Sequence, residues 1–170
     1  YPLLVADITS PAPQCFDNNS FDFLAAGNFT SDATFLWDFG NSATPQTSAQ
    51  QNPTGISFSN LGASSVTLTI TQYGCTDTFI GNGNVLTVTP PVAEIAPVNQ
   101  YCVGYQIDFT NNSTNSNSWN WDFGINNIVT DTSHLFEPNY IYPDSGIYNV
   151  TLIAYNQGIC SDTANLSFWV

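Results

Sequence analysis

"LWDFG" at 36–40 and "NWDFG" at 120–124 are one word written twice, 84 positions apart. That spacing is the length of a small domain, so the word marks either a duplicated site or a duplicated scaffold. The flanking residues repeat as well. Cys15 answers Cys102, "FDF" at 21–23 answers "IDF" at 107–109, and Gly62 answers Gly146. "VTLTI" at 66–70 answers "VTLIA" at 150–154, and "GCTDT" at 74–78 answers "ICSDT" at 159–163. The chain is a tandem repeat.

Within each copy the apolar residues alternate. Phe35, Trp37 and Phe39, like Trp119, Trp121 and Phe123, fall on one face of a strand, which leaves Asp38 and Asp122 facing out. Trp37, Phe39, Trp121 and Phe123 are the expected core. Gly40 and Gly124 supply backbone freedom at the strand exit. Turn signals such as "NPTG", "YPDSG" and "GNGN" separate the runs, and no window shows helical periodicity. About seven short strands per copy predict an all-β chain of two tandem immunoglobulin-like β-sandwiches. The copies are expected over 1–90 and 91–170, with the boundary at "TVTPPVAEIAP", where Pro90 and Pro91 make a semi-rigid hinge.

The charge balance is one-sided. The 170 residues contain 13 Asp and Glu, one His and no Lys or Arg, for a net charge of −13. Nucleic acid and anionic membrane surfaces are excluded as partners, because both require a basic patch. Trypsin has no cleavage site. No stretch of 18 apolar residues exists to span a bilayer. The cysteines, at 15, 75, 102 and 160, lack the close spacing of a zinc site; in this Lys-free, Thr- and Asn-rich chain they point to disulfides and an oxidising, extracellular setting.

The order Cys102, "IDFTNNS", "WDFG", "EPNYIYPDSGIYNVTLIAYN", Cys160 and "SDT" resembles the PKD domain, an immunoglobulin-like sandwich. The cysteine-bearing form is similar to those of secreted and surface proteins of Bacteroidota, gliding-motility adhesins among them. Copy two is the better match; copy one has Phe58 and Ser64 where copy two has Tyr142 and Tyr148. The resemblance implies a non-catalytic extracellular structural or adhesive module, part of a long cell-surface array, filament or stalk. Its partners would be neighbouring repeats of the same chain, with surface glycans or other proteins beyond them. The alternative is an accessory module of a secreted hydrolase that binds glycan or calcium.

The implied fold also bears on the cysteines. In such a sandwich the second and sixth strands run parallel. Cys15 and Cys102 precede the second strand, and Cys75 and Cys160 follow the sixth, so the two sets lie at opposite ends of a domain. A strand of about seven residues separates those ends by over roughly 20 Å, whereas a disulfide spans about 4.4 to 6.8 Å between Cα atoms. Cys15 is therefore expected to reach Cys160 across the domain boundary, leaving Cys75 and Cys102 to neighbouring repeats. Pairing within each copy, Cys15 with Cys75 and Cys102 with Cys160, is the alternative if the strand register differs.

Signals for chemistry are sparse. His134, the one possible base, lies in "TDTSHLF" near Asp131 and Ser133 and reads as a loop residue, since a triad is arranged in space rather than along a run. Glu94 and Glu137 are unrelated in position, so no glycosidase pair is indicated. No catalytic residue and no organic cofactor is expected. Calcium is the ligand that the Asp and Asn content would suit, with Asp17, Asn19 and Asp22 in "CFDNNSFD" as weak candidates. "DTA" at 162–164 fits the O-glycosylation pattern known in Bacteroidota and makes Thr163 a candidate acceptor. Trp169, on the last strand, reads as core or interface rather than as a sugar platform.

Overall fold

Alternation of apolar and polar side chains builds both halves of the chain. A computed structural model describes residues 3–99, 101–125 and 131–170, and the chain divides into two units, Tyr1–Thr89 and Pro90–Val170. No helix occurs among the described residues. None is therefore long and apolar enough to cross a membrane.

Unit one contains β1 (Ala6–Thr9), β2 (Gln14–Cys15), β3 (Leu24–Gly27), β4 (Thr34–Asp38), β5 (Ala43–Thr44), β6 (Thr47–Ser48), β7 (Ser57–Phe58), β8 (Gly62–Gln72) and β9 (Cys75–Val88). One sheet has the order β2-β9-β8-β4-β6, with β2 parallel to β9 and the other pairs antiparallel. The pairs β1-β3 and β5-β7 and the Phe21–Ile56 bridge contribute the remaining strand structure. Val66, Leu68 and Ile70 of β8 are fully buried with Trp37, Phe21 and Ile56. On the opposite face of β8 and β9, Thr69 meets Thr78 and Thr71 meets Thr76, hydroxyl to hydroxyl, at 3.1 Å. The β8–β9 hairpin closes in two residues, Tyr73 and Gly74, at φ 51° and 77°. Two consecutive left-handed residues give the turn whose twist matches paired strands.

Unit two contains β10 (Gln106–Asp108), β11 (Ser118–Asp122), β12 (Thr132–Ser133), β13 (Asn139–Ile141), β14 (Ile147–Asn156) and β15 (Cys160–Trp169). Its main sheet is β12-β11-β14-β15, and β10 pairs with β13. Ile107, Phe109, Trp121, Phe123, Tyr142, Val150 and Leu152 form the core. The pairing repeats that of unit one: Trp37 faces Leu68 and Ser48, and Trp121 faces Leu152 and Ser133. The fold is all-β, two tandem immunoglobulin-like sandwiches, as the alternation predicts. The paired strands β8–β9 and β14–β15 are longer than the short runs expected from the sequence, because their hairpin turns continue the ladder on both sides.

Candidate functional site

The repeated word makes the same kinds of hydrogen bond in both units. Trp37 and Trp121 have no exposed surface. Each indole N–H donates to a backbone carbonyl, Gln50 at 2.9 Å and Leu135 at 3.0 Å. Full burial of so large a side chain is affordable only because that donor is satisfied. The next residue, exposed Asp38 or Asp122, accepts from the N–H of Gly40 or Gly124 through Oδ1, at 2.9 and 2.8 Å. The glycines stand at φ 79° and 78°. The Phe39 and Phe123 N–H groups donate to the carbonyls of Gln46 and Asp131. Trp and Phe fill the core, Asp caps the turn and Gly permits it, so every part of the word serves the scaffold. The capping role of the aspartates was missed from sequence, although Asp two residues before Gly in a turn is its usual signal.

Two of the three calcium candidates, Asn19 and Asp22, bond to backbone. Asn19 is buried; its Oδ1 accepts from the Phe58 N–H at 2.7 Å, and its Nδ2 donates to the carbonyls of Phe16 and Phe58. Asp22 accepts from the Gly55 N–H at 2.9 Å, and Asp17 is exposed. Among the described residues no three His, Cys, Asp or Glu side chains are grouped to hold a metal ion. His134 is exposed just past β12, with Nδ1 3.2 Å from the Trp119 carbonyl oxygen. Its sequence neighbour Asp131 is buried instead and accepts from the Ile125 N–H at 2.7 Å, as a structural cap. Glu94 and Glu137 are both exposed.

The cysteines fall into two states. Cys15 and Cys160 are disulfide-bonded, whereas Cys75 and Cys102 are exposed free thiols. Cys75 and Cys160 hold matching places, each the first residue after a hairpin turn, paired with Gln72 and Asn156. Cys15 and Cys102 both lie at the entry turn of their unit. The Asn19 N–H bonds the Phe16 carbonyl in one, and the Tyr105 N–H bonds the Cys102 carbonyl in the other. Cys102 thus stands one residue further into its turn than Cys15 does.

Thr163 is exposed on β15, which lies at the end of its sheet, and its neighbour Asp162 accepts from the Ala93 N–H at 2.8 Å. Trp169 is not core. Phe168 and Val170 take the inward positions, and strand parity leaves Trp169 50 % exposed, opposite Ile147 on the outer face. Unit two also carries an aromatic cluster that unit one lacks. The buried Tyr142 ring lies 4.1 Å from that of Tyr148, 4.9 Å from Tyr140 and 5.5 Å from Phe168, centroid to centroid. Its hydroxyl donates to the Phe123 carbonyl at 3.0 Å. Burial, reinforced by the charges of Tyr140, Tyr148, Asp131 and Asp122, pushes the Tyr142 phenol far above its ordinary value; burial raises Tyr140 as well. In unit one Phe58 and an Asn60–Ser64 hydrogen bond of 3.0 Å take the corresponding positions.

Comparison with known proteins agrees with this architecture. Residues 88–170 match the PKD domain family. The fibronectin(III)-like modules of Clostridium thermocellum CbhA align over 98 % of this chain and 94 % of theirs, at 12 % identity and a TM-score of 0.51. The PKD1 domain of Vibrio anguillarum Epp aligns with 48 % of this chain and 93 % of its own length, at 24 % identity and a TM-score of 0.38. No curated protein sequence matches the chain. The chain therefore consists of two tandem immunoglobulin-like sandwiches, and the second of them is similar to the PKD domain family over residues 88–170.

Proposed function

We propose that the chain is a non-catalytic, extracellular structural module, two links of a longer adhesive array on a cell surface of the kind its resemblance to Bacteroidota gliding adhesins suggests. The observation that carries this reading is that the repeated word is spent on core and turn in both units, while Cys15 and Cys160 are each disulfide-bonded. The pairing expected from the sequence, Cys15 with Cys160, would restrain the hinge at Pro90 and Pro91 and oppose extension under load. PKD-type and immunoglobulin-like domains generally act as such modules, and a structural disulfide belongs to an oxidising compartment. Backbone NMR relaxation tests the restraint. With the bond intact the two units should tumble as one body; after selective reduction each should show its own, shorter correlation time. Unchanged tumbling on reduction would refute a mechanical role.

A second reading, an accessory module that binds glycan beside a secreted hydrolase, is favoured by one feature, the outward ring of Trp169. Glycan binding that Trp169→Ala abolishes would establish it.

A further inference from the structure

We propose that Asn82 is a site of spontaneous covalent modification, at which unit one loses a side-chain amide as ammonia through a succinimide formed with Gly83. The inference is independent of the array reading. It starts where the β8–β9 ladder breaks register. Ser64 pairs with Val85 and Val66 with Gly81, so Asn82, Gly83 and Asn84 face Ser65 alone. Three residues against one make an excursion from the ladder, larger than the usual bulge of two against one. In unit two β14 and β15 pair from Ile147 to Asn156 without such a break.

The two asparagines of the excursion have opposite fates. Asn84 is spent on the scaffold: its Oδ1 accepts from the Val66 N–H at 3.2 Å. Its side chain lies over Gly81, where an added Cβ would come within 2.5 Å of the Asn84 Cγ. Its Nδ2 is buried without a partner among the described residues, so the excursion is held less firmly than a paired strand. Val85, which follows Asn84, is buried and branched at Cβ, and that bulk shields its amide nitrogen. Asn82 is exposed, and among the described residues no hydrogen bond holds its carboxamide. Asparagine is one of the thermolabile side chains, and here Gly83 follows it, exposed and at φ 67°. With no Cβ on Gly83, nothing of its own shields its nitrogen from the Asn82 Cγ. The Gly83 N–H donates to the exposed Ser65 hydroxyl at 3.2 Å rather than to a strand carbonyl. Asn82–Gly83 is also the one Asn-Gly pair in the sequence.

The chemistry balances with hydroxide and water as co-reactants. Hydroxide takes the Gly83 amide proton, and the nitrogen attacks the Asn82 Cγ. The bond from Cγ to Nδ2 breaks, and the departing nitrogen takes a proton from water and leaves as ammonia. Water then opens the succinimide. Opening at Cγ leaves an aspartate at position 82; opening at the backbone carbonyl leaves an isoaspartate, whose main chain runs through Cβ. In sum, amide and water become carboxylate and ammonium, which adds one negative charge to the −13 of the chain. The excursion is unpaired, so it takes up the extra main-chain atom while the pairs on either side stay in place.

The test ages the intact, folded chain at physiological temperature, at neutral and at mildly alkaline pH, with an unaged sample as the zero point. Chymotryptic cuts after Phe79 and Leu86 release residues 80–86 for mass analysis. That peptide should gain the mass of an amide turned into an acid. Fragment ions should place the change at position 82 and leave Asn84 intact, and a protein isoaspartate methyltransferase should label the product. The rate should rise with hydroxide concentration, and Asn82→Gln should abolish the change. Conversion in the folded chain should run within about tenfold of that in a free peptide of residues 80–86, equivalent to no more than roughly 1.4 kcal/mol of restraint. A slower rate would show that the ladder holds the excursion shut and would overturn the proposal. So would conversion at Asn84, or at an Asn-Ser pair such as Asn41–Ser42, ahead of Asn82.

Discussion

Gly40 and Gly124 hold the same place in the repeated word and nearly the same backbone angle, yet alanine should cost far more at the second. At φ 79° and 78° an L side chain is strained at either site, by about 1–2 kcal/mol. Alanine also restricts the unfolded chain, which offsets about 0.4–1 kcal/mol of that. For Gly40→Ala nothing else changes: an added Cβ meets no atom within 4 Å. The net cost should be about 0.5–1 kcal/mol. For Gly124→Ala the Cβ would lie 2.3 Å from the Asn149 carbonyl oxygen and 2.9 Å from its carbon. Those atoms are backbone of β14, hydrogen-bonded into the sheet, so no side-chain rotation relieves the clash. Overpacking of this sort adds about 1–3 kcal/mol, for a total near 2–4 kcal/mol. Hydrogen exchange resolved by residue is the suitable assay, because the slowest amides of β8–β9 and of β14–β15 report the two units separately. Gly124→Ala should lower protection in β14–β15 by about two orders of magnitude, and Gly40→Ala should lower it in β8–β9 by less than one. Equal costs at the two sites, or a greater cost at Gly40, would refute the reasoning.

Two further outcomes follow from buried and surface charge. Tyr142 has a folded-state pKa raised above its unfolded value of about 10, so the folded chain keeps a proton that the unfolded chain releases. Its contribution to stability is fully present below about pH 10 and is lost as the pH climbs from there toward the folded value. Unit two should therefore unfold in alkali before unit one, where Phe58 takes the corresponding place. Tyr142→Phe should remove that pH dependence at a cost of about 1 kcal/mol near neutrality, since the bond to the Phe123 carbonyl goes with it; a pH–stability profile of unit two unchanged by the substitution would contradict this. Calcium should raise the melting temperature modestly and without saturation, with magnesium equally effective, because it screens 13 uncompensated charges rather than filling a cage. A saturable one-to-one isotherm that Asp17→Ala or Asp22→Ala abolishes would show the opposite.

What was legible in the sequence was what period two and repetition can carry. Trp37 and Trp121 are inward because alternation leaves them no other face, and the second copy confirms the parity of the first. The same rule places Trp169 outward, since Leu166 and Phe168 of β15 and Val170 just past it form an unbroken alternation; the size of the ring suggests core, and the parity of its neighbours decides against it. Asp131 was beyond reach. It stands among polar residues beside His134, and its burial depends on the Ile125 N–H, which only the folded turn brings to it. Asn19 is a similar case, polar in a polar run, yet spent on a strand 39 residues away. Polar residues that serve distant backbone carry no periodic mark, and these are the ones that resembled ligands.

The charge distribution bears on what holds each unit together. Six of the acidic residues lie in unit one and seven in unit two, with no Lys or Arg in either. Side-chain ion pairs therefore contribute nothing to the cores, which rest on aromatic burial and on backbone groups satisfied by Asn, Asp and Gln. Uncompensated charge of one sign on each unit opposes its compaction, so these cores and capped turns must hold the fold against that repulsion as well as against chain entropy.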